Sequence, residues 1–234
     1  MIDVRTYESL GTFRNDWLDA HYHFSFSGYR DPKRDHWGAL RVWNDDTVQP
    51  HTGFSRHGHR DMEIITYMRR GAITHRDHLG NDGRTVAGDV QVMSAGRGIE
   101  HEEQNLEDGI TQLFQIWIIP NENGVKPRWE TRTFPKGEQS GALITLASGR
   151  KRDSAALPIH QDAAILAASL KPGQSVRHEL EPGRHLYLVA AAGLITVNGK
   201  PAKARDGVAV TGEDALEITA SEDSEILITD VPAL

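Results

Sequence analysis

Cysteine is absent from the 234-residue chain. That excludes disulfides, thiol redox chemistry, zinc–thiolate centres and a cysteine nucleophile together. It also fits a reducing compartment, and the cytoplasm is the expected location. Long apolar runs are missing too. No stretch approaches the roughly 20 residues of a membrane-spanning helix. The opening MIDVRTYESLGTF has no apolar segment behind a basic start, so no secretory signal is expected. Positive charge is in deficit, with Lys+Arg 26 against Asp+Glu 33 and a net charge of −7. Such a chain has no general attraction for nucleic acid or for anionic membranes. There is no Gly-x-Ser-x-Gly nucleophile motif. What remains is an ordinary globular composition, 38% hydrophobic and 25% charged, with one oddity: twelve histidines.

The pattern along the chain is that of an all-β protein. Short runs rich in Val, Ile, Leu, Tyr and Trp occur at 38–43, 62–68, 89–93, 113–119, 141–146, 163–170, 186–190, 194–197 and 226–228. Turn signals separate them, among them Asn44-Asp45-Asp46, Gly80-Asn81-Asp82-Gly83 and Asn198-Gly199. Many short strands at this spacing predict a sandwich or barrel. Asn198-Gly199 is the strongest hairpin signal, because a type I′ turn needs two residues with positive φ. Only residues 15–20 and parts of 154–164 read as weakly helical. All five tryptophans and nine of the twelve histidines precede residue 135, and the sequence beyond is rich in Ala, Leu and Val. A linker is therefore expected at 135–142, dividing the chain into units 1–137 and 138–234. At roughly 100–200 residues per domain, two small barrels suit the length.

The histidines carry the chemistry. His57-Gly58-His59 and, 42 residues further on, His101-Glu102-Glu103 each place two metal-ligating side chains at i and i+2. On a strand these share a face, roughly 6.5–7 Å apart at Cα, so their donor atoms can converge on one ion. Three imidazoles and one carboxylate, without sulfur, suit Fe, Ni, Cu, Mn or Zn. On an octahedral ion two positions stay open. Glu63 has the parity of His57 and His59, and an unbroken strand would aim it inward as well. Periodicity alone does not choose between Glu63 and Glu103. Glu102 should face away.

Gly53 with His57-x-His59-x3-Glu63 resembles the first motif of the cupin superfamily, and the longer text resembles bacterial pirins of the quercetin 2,3-dioxygenase type. The matching segments are HFSFSGY (23–29), GALRVWNDD (38–46), HGHRDMEIITY (57–67), HRDHLGN (75–81), GDVQVMSAGRGIEHEEQN (88–105) and QIWIIPNENGVKPRWE (115–130). They cover residues 20–135 strongly and the rest loosely. The resemblance implies a bicupin of two antiparallel jelly-roll barrels with metal in the first. It implies that His57, His59, His101 and Glu103 are the ligands and leaves Glu63 a supporting role. It implies one divalent transition ion, iron by expectation, with Cu, Ni, Mn, Co or Zn as alternatives. It further implies dioxygen-dependent cleavage of a flavonol such as quercetin, with the substrate enolate at the metal and Glu103 as ligand and proton acceptor. The alternative it carries is a metal-containing, redox-sensing regulator acting through a protein partner. A monomer is expected.

Two positions depart from the family pattern: Gly58 replaces a usual proline, and His36-Trp37 adds bulk. His160, His178 and His185 form no i, i+2 pair, so the C-terminal half is expected to hold no metal. His75 and His78 read as surface residues of a hairpin, and His23 as a satisfied core histidine. Gly96-Arg97-Gly98 reads as the turn that delivers His101. The basic run Arg150-Lys151-Arg152 lacks interleaved aromatics and is not read as a nucleic-acid site. Phe54, Met62, Met93, Phe114 and Ile116 are candidate apolar lining for a flat aromatic ligand.

Overall fold

The computed structural model describes residues 1–134 and 141–234. The expected boundary at 137/138 and most of the expected linker lie outside them. Among the described residues the regular structure is 22 β-strands and a single 3-10 turn, Tyr7–Ser9. The strands form four sheets, and all pairings but one are antiparallel.

In the first half a seven-stranded sheet runs in the order Arg128–Thr133, Asp89–Ser94, Glu63–Arg70, Thr111–Ile118, Leu40–Val48, Leu18–Tyr22, Gly11–Arg14. It is accompanied by a four-stranded sheet, Thr52–His59, Ile99–Asn105, Ala72–Asp77, Asp82–Val86. The second half repeats the plan with one seven-stranded and one four-stranded sheet. Its larger sheet begins with Ile2–Arg5, which pairs with Gly207–Thr211. The first strand of the chain thus completes the sheet of the last half.

Period-2 alternation decides what each large sheet shows to either side. In Glu63–Arg70, Asp89–Ser94 and Thr111–Ile118 the residues Ile65, Tyr67, Val90, Val92, Phe114 and Ile116 join a core cluster shared with Ile165, Tyr187, Val189 and Leu227 of the second half. Phe114 and Ile116 therefore belong to the seam between the halves and do not line a ligand cavity. Met62 and Met93 pack with Ile64 and Ile99, and Phe54 packs beside Leu18 and Tyr22.

The opposite faces differ between the halves. In the second, Leu186, Leu188, Val208, Val210, Ile226 and Ile228 meet Ile195, Val197, Leu216 and Ile218 of the small sheet. At roughly 1.5–3 kcal/mol per fully buried aliphatic side chain, that barrel is filled for stability. In the first, the corresponding positions include Thr66, Gln91 and Gln115, all buried. A polar interior costs free energy unless each group is satisfied, and these groups are satisfied around the histidines.

Two local expectations fail. Residues 15–20 are not helical: Leu18–Tyr22 is a strand that pairs with Leu40–Val48, and within 154–164 the short strand Leu157–Pro158 forms. Ala164 also opens the strand Ala164–Leu170. Sheet pairing and burial outweigh weak local preference. Asn44-Asp45-Asp46 is no turn either. It lies inside Leu40–Val48, between two strands. Buried Asp45 is tolerated there because Arg69 and Arg205 both reach its carboxylate. The Asn198-Gly199 hairpin forms as expected, with φ +46° and +79°.

Candidate metal centre

Three adjacent strands of the small sheet, Thr52–His59, Ile99–Asn105 and Ala72–Asp77, bring the chemistry together. His101 pairs with His57 on one side and with Asp77 on the other, while Glu103 lies opposite His75. The register slips between His101 and Glu103, so that Thr52–His59 carries one extra residue, a bulge. In this bulge the Ser55 carbonyl accepts the Nδ1–H of His57 at 2.7 Å. That bond leaves His57 Nε2 as the free nitrogen.

One ring nitrogen from each of His57, His59 and His101 lies within 4.8 Å of the other two. His59 packs edge-on against Trp117 with ring centroids 5.0 Å apart. Burial, reinforced by the neighbouring imidazoles, pushes His59 down to about 4 and His101 to about 3. Both rings are neutral at pH 7, the state a metal ligand needs. Nε2 of His101 is buried and has no hydrogen-bond partner among the described residues. A buried, unpartnered nitrogen on a ring clustered with two other imidazoles is what a divalent ion would satisfy, so the donor set fits a metal.

Glu103 falls in a second group, with His75 and His101. Both of its oxygens are occupied: Gln91 Nε2 donates to one at 2.5 Å and Gln115 Nε2 to the other at 3.0 Å. Two indoles settle which way these amides face. Trp129 Nε1 donates to the Gln91 oxygen at 3.2 Å and Trp117 Nε1 to the Gln115 oxygen at 3.1 Å. Each amide nitrogen is thereby turned to Glu103. Trp129 closes over the strand Asp82–Val86, where a Cβ on Gly83 would meet its ring at 2.2 Å.

Glu63 joins neither group. The strand breaks after His59, Asp61 takes φ +47°, and Glu63 opens a strand of the other sheet. The parity argument needed an unbroken strand. Glu63 instead accepts from Ser94 Oγ at 2.6 Å and pairs with His160 of the second half at 3.2 Å. Burial raises its pKa despite these bonds.

His75 is the main correction. It is fully buried, stacked on Trp129 at 4.9 Å and 9°, and within 3.3 Å of His101. The sequence held the signal, since His75-Arg76-Asp77 has the i, i+2 spacing of the other two pairs. Gln91 and Gln115 were also legible as lone amides in alternating apolar runs. His78 is exposed, as expected. His23 is buried and bonds Tyr187 through Nδ1 at 2.9 Å, but its Nε2 has no partner among the described residues. The basic run is structural: Arg150 pairs with Asp230 and Arg152 with Glu181. His178 is held by Asp230, and His185 packs on Trp37.

A cleft of about 530 Å³ opens onto His59, between Gly58, Arg60, His78, Gly98 and Glu100. A larger one of about 690 Å³ is lined by Arg97, Lys126, Arg128, Trp129 and His160 and touches none of the three clustered histidines.

Two barrels of one plan, one filled with aliphatic side chains and one built around histidines, define a bicupin whose two candidate metal-ligating groups among the described residues share His101 and lie in the first barrel. Residues 3–118 match the pirin family and residues 145–231 match the quercetinase C-terminal cupin domain. A pirin-like protein from Caulobacter vibrioides is 54% identical over 98% of this chain and 99% of its own. Quercetin 2,3-dioxygenase from Escherichia coli K12 is 40% identical over 99% of each chain. The crystal structure of the bacterial pirin YhhW from Escherichia coli in complex with nickel(II) superposes with a TM-score of 0.94, at 38% identity over all of both chains. The chain belongs to the pirin family.

Proposed function

We propose that this protein is a metal-dependent dioxygenase that cleaves a flavonol such as quercetin, with His57, His59, His101 and Glu103 as metal ligands. The observation that carries the metal is the buried, unpartnered Nε2 of His101 beside His57 and His59. The flavonol is supported by the name of the Escherichia coli relative. The unit 1–137 would hold the ion and 138–234 would close the back of the barrel without one. Iron remains the expected ion, and nickel gains support from the relative crystallised with it.

A divalent ion held by these residues would supply stabilisation of an enolate oxygen and a lower pKa for the hydroxyl it comes from. The rest falls to the chain. The cleft at His59 admits the substrate, and Trp117, edge-on to His59, fixes that ring. Glu103 accepts the enolic proton. Its two amide donors hold the carboxylate in place and leave each oxygen one further lone pair, one for the ion and one for that proton. Metal analysis of protein purified without added metal, followed by oxygen uptake with a flavonol panel, tests the reading. Bound metal without oxygen consumption on any flavonol would overturn the catalytic part and favour the regulatory alternative.

A further inference from the structure

Behind the three clustered histidines lies a second layer with a definite direction of hydrogen bonding. Asp77 is buried, and its carboxylate receives the backbone N–H of Leu79 at 2.9 Å, that of Asn81 at 3.1 Å and the Asn81 side-chain amide at 2.8 Å. A carboxylate so surrounded by donors acts as an acceptor toward its remaining neighbour, His75 Nε2, at 3.0 Å. His75 must therefore carry its proton on Nε2. In a neutral imidazole the other nitrogen is then bare. His75 Nδ1 faces His101 Nδ1 at 3.3 Å, so the proton between them belongs to His101. With Nδ1 protonated, His101 presents a bare Nε2, the buried atom that has no partner among the described residues.

We propose that His75, oriented by Asp77 and clamped on Trp129, is a positioning residue that selects the Nδ1–H tautomer of His101 and so presents Nε2 to the metal. The proposal rests on the metal reading above. His57 reaches the same tautomer by a shorter route, through the Ser55 carbonyl. His101 uses a second imidazole instead. The stack on Trp129, 9° from parallel, holds the plane of His75 so that both nitrogens point along this line.

The discriminating variant is Asp77→Asn. Its oxygen can still accept the two backbone N–H groups, which places its NH2 against His75 Nε2 and against the Asn81 amide, which turns over to offer its oxygen. That amide donates, so His75 must move its proton to Nδ1, and His101 must move its own to Nε2, where it blocks the metal. His75→Gln is the conservative rescue, because its side-chain oxygen can still accept from His101 Nδ1–H.

The tautomer of His101 is read by nitrogen-15 NMR on metal-free protein, and affinity by nickel(II) titration against a chelator. The expected result is Nδ1–H in the wild type and in His75→Gln. Asp77→Asn should show Nε2–H and a loss of nickel affinity of about 10- to 100-fold, the usual scale for removing such a partner. An Nε2–H tautomer in the wild type, or unchanged nickel affinity in Asp77→Asn, would overturn the proposal. A wild type that takes up no nickel would sink the metal reading by itself, and the tautomer of metal-free His101 would still decide the relay.

Discussion

Gln91 Nε2 lies 2.5 Å from Glu103 Oε1, and the oxygen of the same amide accepts from both Thr85 and Trp129. The amide cannot turn over without losing two donors. Glu103 is therefore tied to a fixed donor, which separates it from Glu63, the other carboxylate of matching parity.

Glu103→Gln places an amide nitrogen against the fixed amide donor of Gln91 or of Gln115. Metal affinity should fall at least about tenfold, and any residual metal-loaded protein should fail in proton transfer. Glu63→Gln should keep its metal, since its partners are Ser94 and His160. Elemental analysis and oxygen uptake on both variants check this. Metal lost from the Glu63 variant and kept by the Glu103 variant would reverse the assignment.

His59→Ala and His101→Ala should each abolish metal retention while the chain stays folded. The wild type should hold one ion per chain. The aliphatic barrel and the seam between the halves are untouched by either change, so the cost should be roughly 0.5–3 kcal/mol. Circular dichroism with metal stoichiometry is the measurement. Global unfolding of both variants would make the histidines structural.

Gly58→Ala should be accepted. A Cβ there would meet nothing nearer than Glu100 Cγ and the Ile99 carbonyl, both at 3.8 Å, and the residue does not take a positive φ. Restricting the unfolded chain should stabilise the protein by about 0.4–1 kcal/mol, with nickel affinity equal to or tighter than wild type. A lower melting temperature would show that the ligand strand needs the glycine.

Asp230 ties three partners of the second half, two guanidiniums and an imidazole: Arg184 at 2.7 Å, Arg150 at 2.9 Å and His178 at 2.9 Å. Burial alone would raise its pKa, but these partners hold it at about 2. A depressed carboxyl stabilises the fold above its unfolded pKa and loses that contribution as pH falls through the folded value. The shift corresponds to roughly 2 kcal/mol at pH 7. Asp230→Asn should be destabilised by at least about that amount at pH 7, and the difference should shrink by roughly half at pH 3. Urea unfolding at the two pH values decides; a gap independent of pH would assign the loss to packing.

The sequence by itself determined the all-β class and the hairpin at Asn198-Gly199, and it marked the two candidate pairs at i, i+2, because alternation along a strand is a local property that needs no partner. Only the tertiary structure decided which strands are neighbours, and the rest follows from that. Placing Ala72–Asp77 beside Ile99–Asn105 turned His75 from a surface residue into the neighbour of His101. The break at Asp61 carried Glu63 into the other sheet, and the docking of the two large sheets claimed Phe114 and Ile116 for the seam. Asn44-Asp45-Asp46 reads as a turn until Arg69 and Arg205 arrive from distant parts of the chain to neutralise Asp45. Contacts between strands far apart in sequence, and the burial they impose, carry no local signature.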